Sequence, residues 1–424
     1  MVHEAFAEAR SRLCPVVIGV PLDIQEDEWS NPALLELTAE EPGSNSATEK
    51  LAPGDSEVAK ALDCVLSARN IVVLAGLGAI NSGASSKCTE LAEMVGGLLA
   101  TTLPARGLFW EDPFYLGVAG GFASDTARKY LQQADLVIAV GTRLASHTSD
   151  AGKLWSAENV LHIDIEPRRH SQGIEASRHA LRADATEGVA CLIDALNASP
   201  QFNTVSRGNS SAWRSDQVAS EIASSAPDSK VYSIESGLLD PRDVVSAMDK
   251  AVPTDWHTVN SSGHCSWFAA QMYRRPANRF FTLREFGAIG NGLAFAIGVA
   301  VADTERPVVL FDGDGSFLMH IQELETIARH NLKLLVCIIN DGAYGSEIHK
   351  LRAHGLADTG GTFGRPDFAA IARGFGLQGK RISNLSDVSR HLDEFNTANV
   401  AAVWDFHVSD EVVSPLIRRS HGLN

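Results

Sequence analysis

Short apolar runs, each closing on glycine, asparagine or aspartate and followed by residues at helical spacing, recur along this chain. Residues 70–74 (NIVVL) predict a strand that ends in Ala75-Gly-Leu-Gly78, and residues 86–95 predict a helix. Residues 135–140 (DLVIAV) and 160–165 (VLHIDI) predict two further strands, closing at Gly141-Thr-Arg143 and at Glu166-Pro167. Later, residues 307–311 read as a buried strand, with Gly313-Asp314-Gly315 as the turn and Ser316 as a helix N-cap. Phe317, Leu318, Ile321, Leu324, Ile327 and Ala328 then repeat at helical spacing. The next apolar strand, residues 334–339, ends at Asn340-Asp341-Gly342. Strands alternating with helices predict parallel, doubly wound α/β sheets. At the start, residues 3–13 predict a helix and residues 14–23 (CPVVIGVPLD) a buried strand leading into a proline turn. Polar stretches at 31–55 and 198–235 read as linkers, the second carrying a short helix.

Two carboxylates, Asp314 and Asp341, therefore stand at the carboxyl ends of neighbouring strands, where open α/β sheets bind ligands. Magnesium keeps octahedral oxygen coordination and is commonly held by one or two carboxylates together with substrate phosphates. Gly313 and Gly315 let backbone N–H groups approach phosphate oxygens, and Ser316 opens the following helix. Either turn alone is an ordinary strand-to-loop turn; the pair in one βαβ unit points to a cation holding a diphosphate.

The pattern GDG followed by an Asn-Asp pair resembles the thiamine diphosphate signature of the acetolactate synthase and 2-oxo acid decarboxylase superfamily. The resemblance implies that Asp314, Asp341 and the carbonyl of Ala343 hold Mg2+. It departs from many members in having Asp341 where they have asparagine. Three more segments fit. Asn260-Ser-Ser-Gly-His-Cys-Ser266 resembles the loop that touches the diphosphate, with Gly263 and His264 as the positions carried over. Glu285-Phe-Gly-Ala-Ile-Gly-Asn-Gly292 resembles the loop beneath the cofactor; Ile289 would wedge between its two rings, and the Gly287 carbonyl would accept from its amino group. Glu347, six residues past Asp341, stands where pyruvate-type decarboxylases carry a catalytic glutamate.

By the same resemblance residues 1–30 are the remnant of a pyrimidine-binding domain, 31–55 a linker, 56–197 a middle Rossmann-like domain, 198–235 a linker and 236–424 the diphosphate- and metal-binding domain. The expected reaction is decarboxylation of a 2-oxo acid with ligation of the enamine to a second carbonyl. The alternatives are simple decarboxylation through Glu347 and an inactive cofactor-binding protein. The family's activating glutamate lies on the pyrimidine-binding domain, and no residue here matches its motif. A truncated chain, a split enzyme with a partner supplying that domain, and a remnant all stay open, as does a homo-oligomer. FAD on the middle domain stays an alternative only, because Gly141-Thr-Arg-Leu-Ala-Ser-His147 lacks the Asp-Asp-Arg end of the family's flavin turn.

Composition narrows the setting. A net charge of −16 over 424 residues argues against nucleic acid or an anionic membrane as partner. The six cysteines show no metal-ligating spacing and read as reduced thiols of an intracellular protein. Met1-Val-His-Glu lacks a signal-peptide pattern, and the apolar run 292–302 is too short to span a bilayer. The expected location is cytoplasmic, with a small 2-oxo acid as substrate.

Overall fold

The computed structural model describes residues 2–12, 15–25, 50–202, 213–273, 275–398 and 400–423. The chain divides into two units, residues 1–50 and 51–424. In the first, helix α1 (Val2–Arg12) forms where helical spacing predicts it. The buried strand expected at 14–23 does not form. Cys14 lies outside the described residues; residues 15–21 join no ladder, and the segment ends in a 3-10 turn, Leu22–Ile24. Val17 and Leu22 are 92% and 82% exposed. An apolar run becomes a buried strand only where neighbouring strands take its backbone N–H and C=O groups, and here, among the described residues, none does. Most of the expected linker 31–55, and residues 203–212 of the second, lie outside the described residues.

The second unit carries two six-stranded sheets among the described residues, all their pairings parallel. The first is built from β1 (Ile71–Ala75), β2 (Leu98–Thr101), β3 (Tyr115–Val118), β4 (Leu136–Val140), β5 (Val160–Asp164) and β6 (His179–Arg182). Its order is β3-β2-β1-β4-β5-β6, so the winding reverses between β1 and β4. The second holds β7 (His257–Asn260), β8 (Phe280–Thr282), β9 (Val308–Gly313), β10 (Leu334–Asn340), β11 (Gln378–Arg381) and β12 (Ala402–His407). Its order is β8-β7-β9-β10-β12-β11, and the winding reverses between β7 and β9.

Both sheets are buried on two faces, so their strands read as continuous apolar runs rather than alternating ones. In β9, Val309 and Phe311 enter the core on one face and Val308 and Leu310 that on the other. Val73 and Val72 of β1 divide in the same way. The sheets are joined by polar contacts to backbone: Arg106 Nε donates to the Ala270 carbonyl at 2.8 Å, and Gln271 Nε2 to that of Phe122 at 3.1 Å.

Five helices set the edge of the second sheet: α2 (Pro241–Ala251), α3 (His264–Ala269), α4 (Gly292–Ala302), α5 (Asp314–Met319) and α6 (Gly345–Ala353). α5 begins three residues earlier than expected. Gly313 is its N-cap, so Ser316 lies inside the first turn and its hydroxyl serves another partner. The helical period over 317–328 breaks at His320 (φ −134°, ψ 27°), giving α5, a 3-10 turn Ile321–Glu323 and a separate helix Leu324–Arg329.

Candidate active site

Parallel pairing in register brings the ends of β7, β9 and β10 side by side, with Phe311 beside both Asn260 and Cys337. The turns leaving these three strands then meet at one edge. After β9, Asp314 is almost wholly buried. Its Oδ1 accepts the Gly315 N–H at 2.8 Å, and its Oδ2 accepts the Gly342 N–H from the turn after β10 at 2.7 Å. Asp341 is also buried, and its Oδ1 accepts the Ala343 N–H at 3.1 Å. The turn is pinned from outside. Gly342 sits at φ 78°, in the left-handed region that favours glycine, and its carbonyl accepts from the N–H groups of Phe363 and Gly364, each at 3.0 Å. Tyr344 N–H donates to the Gly361 carbonyl at 2.8 Å.

Two carboxylates are thus enclosed together. Burial raises the pKa of both, and for Asp314 the neighbouring Asp341 charge raises it further; Arg365 pulls both back. Such a pair favours a bound cation or proton. Among the described residues no group of three or more histidine, cysteine, aspartate or glutamate side chains forms a cage. Two carboxylates and one carbonyl are instead a donor set that magnesium completes with phosphate oxygens.

Glycines let the neighbouring turns approach this pair closely. A Cβ on Gly345 would stand 2.4 Å from Asp341 Oδ2 and 2.9 Å from His264 Nδ1, and one on Gly315 would stand 2.6 Å from the Tyr344 ring.

The loop after β7 supplies the next wall. Gly263 turns at φ 105°, and a Cβ there would lie 3.5 Å from Ile289 Cγ2, so the loop expected at the diphosphate meets the loop expected beneath the rings. His264 is buried and its pKa is pushed down to about 3 by that burial, so the ring is neutral. Its Nε2 accepts the Ser414 N–H at 3.0 Å, which puts the ring proton on Nδ1, 3.7 Å from Asp341 Oδ2. His349 of α6 packs edge-on against it with ring centroids 4.6 Å apart. Cys265 is buried, and its thiol pKa is raised by that burial.

The wedge loop is open on one side. Phe286 is fully exposed at φ 56°, and Gly287 is exposed at φ 63°. Ile289 is half-buried, and Gly290 (φ 93°) is buried against Met319, with its N–H donating to Ser316 Oγ at 2.8 Å.

Asp314, Asp341, Ala343, Gly313, Gly315, Ser316, Gly263, His264 and Ile289 therefore share one edge, with Gly287 at its open end. Glu347 does not join them. It stands on the outer face of α6, 56% exposed and paired with Lys350 at 2.8 Å. Sequence reasoning passed over Asp312, Ser261 and His349. A charge at the end of a buried strand signalled the first; the spacing Gly345, Ile348, His349, Arg352 along α6 signalled the last.

The corresponding edge of the first sheet is closed. The N–H groups of Gly76 and Gly78 donate to the carbonyls of Val140 and Gly141, each at 2.8 Å, and a Cβ on Gly76 would stand 2.3 Å from the Gly141 oxygen. The turns after β1 and β4 thus pack on each other.

Residues 58–196 match the central domain of the thiamine pyrophosphate enzymes, and residues 261–406 match their C-terminal TPP binding domain. The chain is 29% identical over 420 residues to a protein named acetolactate synthase large subunit from Parasynechococcus marenigrum, covering 96% of this chain and 65% of that protein. It is 26% identical over 414 residues to a probable acetolactate synthase large subunit from Methanococcus aeolicus, covering 93% and 67%. It is 25% identical over 456 residues to the acetolactate synthase catalytic subunit, mitochondrial, of Saccharomyces cerevisiae, covering 100% and 63%. The chain thus spans about two thirds of the length of these relatives. With both matches falling on the two parallel sheets, the chain belongs to the thiamine pyrophosphate enzymes.

Proposed function

We propose that this chain binds thiamine diphosphate through Mg2+ and serves an acetolactate synthase-like reaction, in which a 2-oxo acid loses carbon dioxide and the remainder is joined to a second carbonyl compound. The observation that carries the reading is the buried carboxylate pair, Asp314 and Asp341, tied across two strand ends by the Gly342 N–H. Asp314, Asp341 and the Ala343 carbonyl hold the metal; Gly263, His264, Gly313, Gly315 and Ser316 line the diphosphate. Ile289 and the Gly287 carbonyl serve the rings. When bound, thiamine diphosphate supplies a nucleophilic carbon and an electron sink for decarboxylation. The residues of the chain position it and exclude water.

Simple decarboxylation rested on Glu347, and its exposed pairing with Lys350 removes that support. FAD is left out of the reading on account of the closed first-sheet edge.

The activating carboxylate comes, in this reading, from a further domain or a partner chain. α4 supports this. It is apolar all round, with Leu293, Ala296 and Ala300 turned inward while Phe295 and Val301 stay exposed. A helix of that composition is normally covered on every side. Together with Phe286 at the mouth of the site it offers an apolar surface to a covering domain. Among the described residues no helix is long and apolar enough to cross a membrane.

The reading is tested by supplying a 2-oxo acid with Mg2+ and thiamine diphosphate, and following carbon dioxide and the carbon skeleton of the product. A ligated hydroxy-keto product supports it; aldehyde as the sole product contradicts it.

A further inference from the structure

The carboxylate of Asp312 is unused by that reading. It ends β9 directly before Gly313 and is wholly buried, which for an aspartate calls for dedicated partners. Its Oδ1 accepts the Gly313 N–H at 3.0 Å. The hydroxyls of Ser316 and Ser261 face the carboxylate and lie 3.4 Å from each other, yet neither closes fully on Oδ2, which is buried without a hydrogen-bond partner. Room for this group is reserved by Gly292, where a Cβ would stand 2.9 Å from Asp312 Oδ2 and 2.6 Å from Ser261 Oγ.

Ser316 links this group to the wedge loop. Its oxygen accepts the Gly290 N–H at 2.8 Å, so its single proton is left for Ser261 Oγ, 3.4 Å away, or for the carboxylate of Asp312 that it faces, which when ionised accepts only. Gly290 follows Ile289, whose side chain reaches the Gly263 turn. Ser316 thus stands between the end of β9 and the loop beneath the cofactor rings.

We propose that Asp312 is a positioning residue for the ring half of the cofactor: by taking the Ser316 proton it aims the Ser316 oxygen at the Gly290 N–H and fixes the Ile289 loop relative to the diphosphate turn. This rests on the thiamine diphosphate reading and deepens it. It also reassigns the Ser316 hydroxyl to the loop, leaving the backbone N–H of that residue for the diphosphate.

The test compares two ligands, inorganic pyrophosphate and thiamine diphosphate, each titrated with Mg2+ into the full chain. Asp312→Ala and Ser316→Ala weaken thiamine diphosphate roughly ten- to a hundredfold, the scale of a lost hydrogen bond to a charged group, while in Asp312→Ala pyrophosphate binding holds within about twofold. The double variant loses no more than the worse single one, because both act through one chain of contacts. Asp312→Asn keeps an acceptor oxygen and recovers most of the affinity. Should Asp312→Ala fail to fold, Ser316→Ala and Asp312→Asn carry the comparison. Equal weakening of both ligands, no weakening of either, or additive losses in the double variant would each overturn the proposal. A wild-type chain that binds neither ligand sinks the thiamine diphosphate reading itself, and this inference with it.

Discussion

The two sheets of the second unit share strand number, direction and a reversal of winding, yet their ligand-facing edges differ. At the first edge the turns after β1 and β4 bond to each other through Gly76, Gly78, Val140 and Gly141. At the second, the turns after β9 and β10 enclose two carboxylates, with Gly345 packed close against Asp341. Topology offers a crevice at each reversal, and the turn residues decide whether it is filled by protein or left for a ligand. That difference is carried by a few side chains and is open to direct attack.

The largest effect is expected at the second edge. Asp314→Ala removes one of the two carboxylates and the acceptor of the Gly342 N–H, and should abolish Mg2+-dependent thiamine diphosphate binding; retained binding would move the site elsewhere. Gly345→Ala places a methyl against Asp341 and His264, and affinity should fall roughly ten- to a hundredfold, as for an overpacked site. The mirror-image change, Gly76→Ala in the first sheet, pushes on the Gly141 backbone. It should cost about 1–3 kcal/mol of stability, read as a lowered Tm, while cofactor affinity per folded molecule stays unchanged. If Gly76→Ala instead weakened binding selectively, the two edges would not be independent.

The pH dependence arises from the same pair. Asp314 and Asp341 have folded-state pKa values above the ordinary carboxylate range, so the folded chain without metal holds protons that the unfolded chain releases near pH ~4. Its stability should therefore fall as pH rises from there through the neutral range. Magnesium competes with those protons, so Mg2+-thiamine diphosphate affinity should rise over the same window, and metal should flatten the stability loss. Thermal melts with and without Mg2+ across that range check both signs. The smallest effect is expected for Glu347→Gln. Its exposed pair with Lys350 is worth less than about 0.5 kcal/mol, and cofactor affinity should be unaltered.

Much of this contrast was legible before any coordinates. β1, β4, β5, β9 and β10 lie where the apolar runs fall, because strands buried on both faces cannot hide their composition. Asp314 and Asp341 were visible because each closes such a run. The expected strand at 14–23 failed because its apolar letters carry no information about whether a neighbouring strand exists. Ser316 was placed as an N-cap on local preference, while in the fold its hydroxyl meets Gly290, far away in sequence. Glu347 and His349 show the same limit on one helix. Only the packing of α6 tells which of them faces His264 and which faces solvent.

The most direct measurement is a calorimetric titration of thiamine diphosphate into the purified chain with and without Mg2+. Saturable binding that requires Mg2+ and disappears in Asp314→Ala is the predicted result. Binding that is indifferent to both metal and Asp314, in a folded protein, would contradict the account.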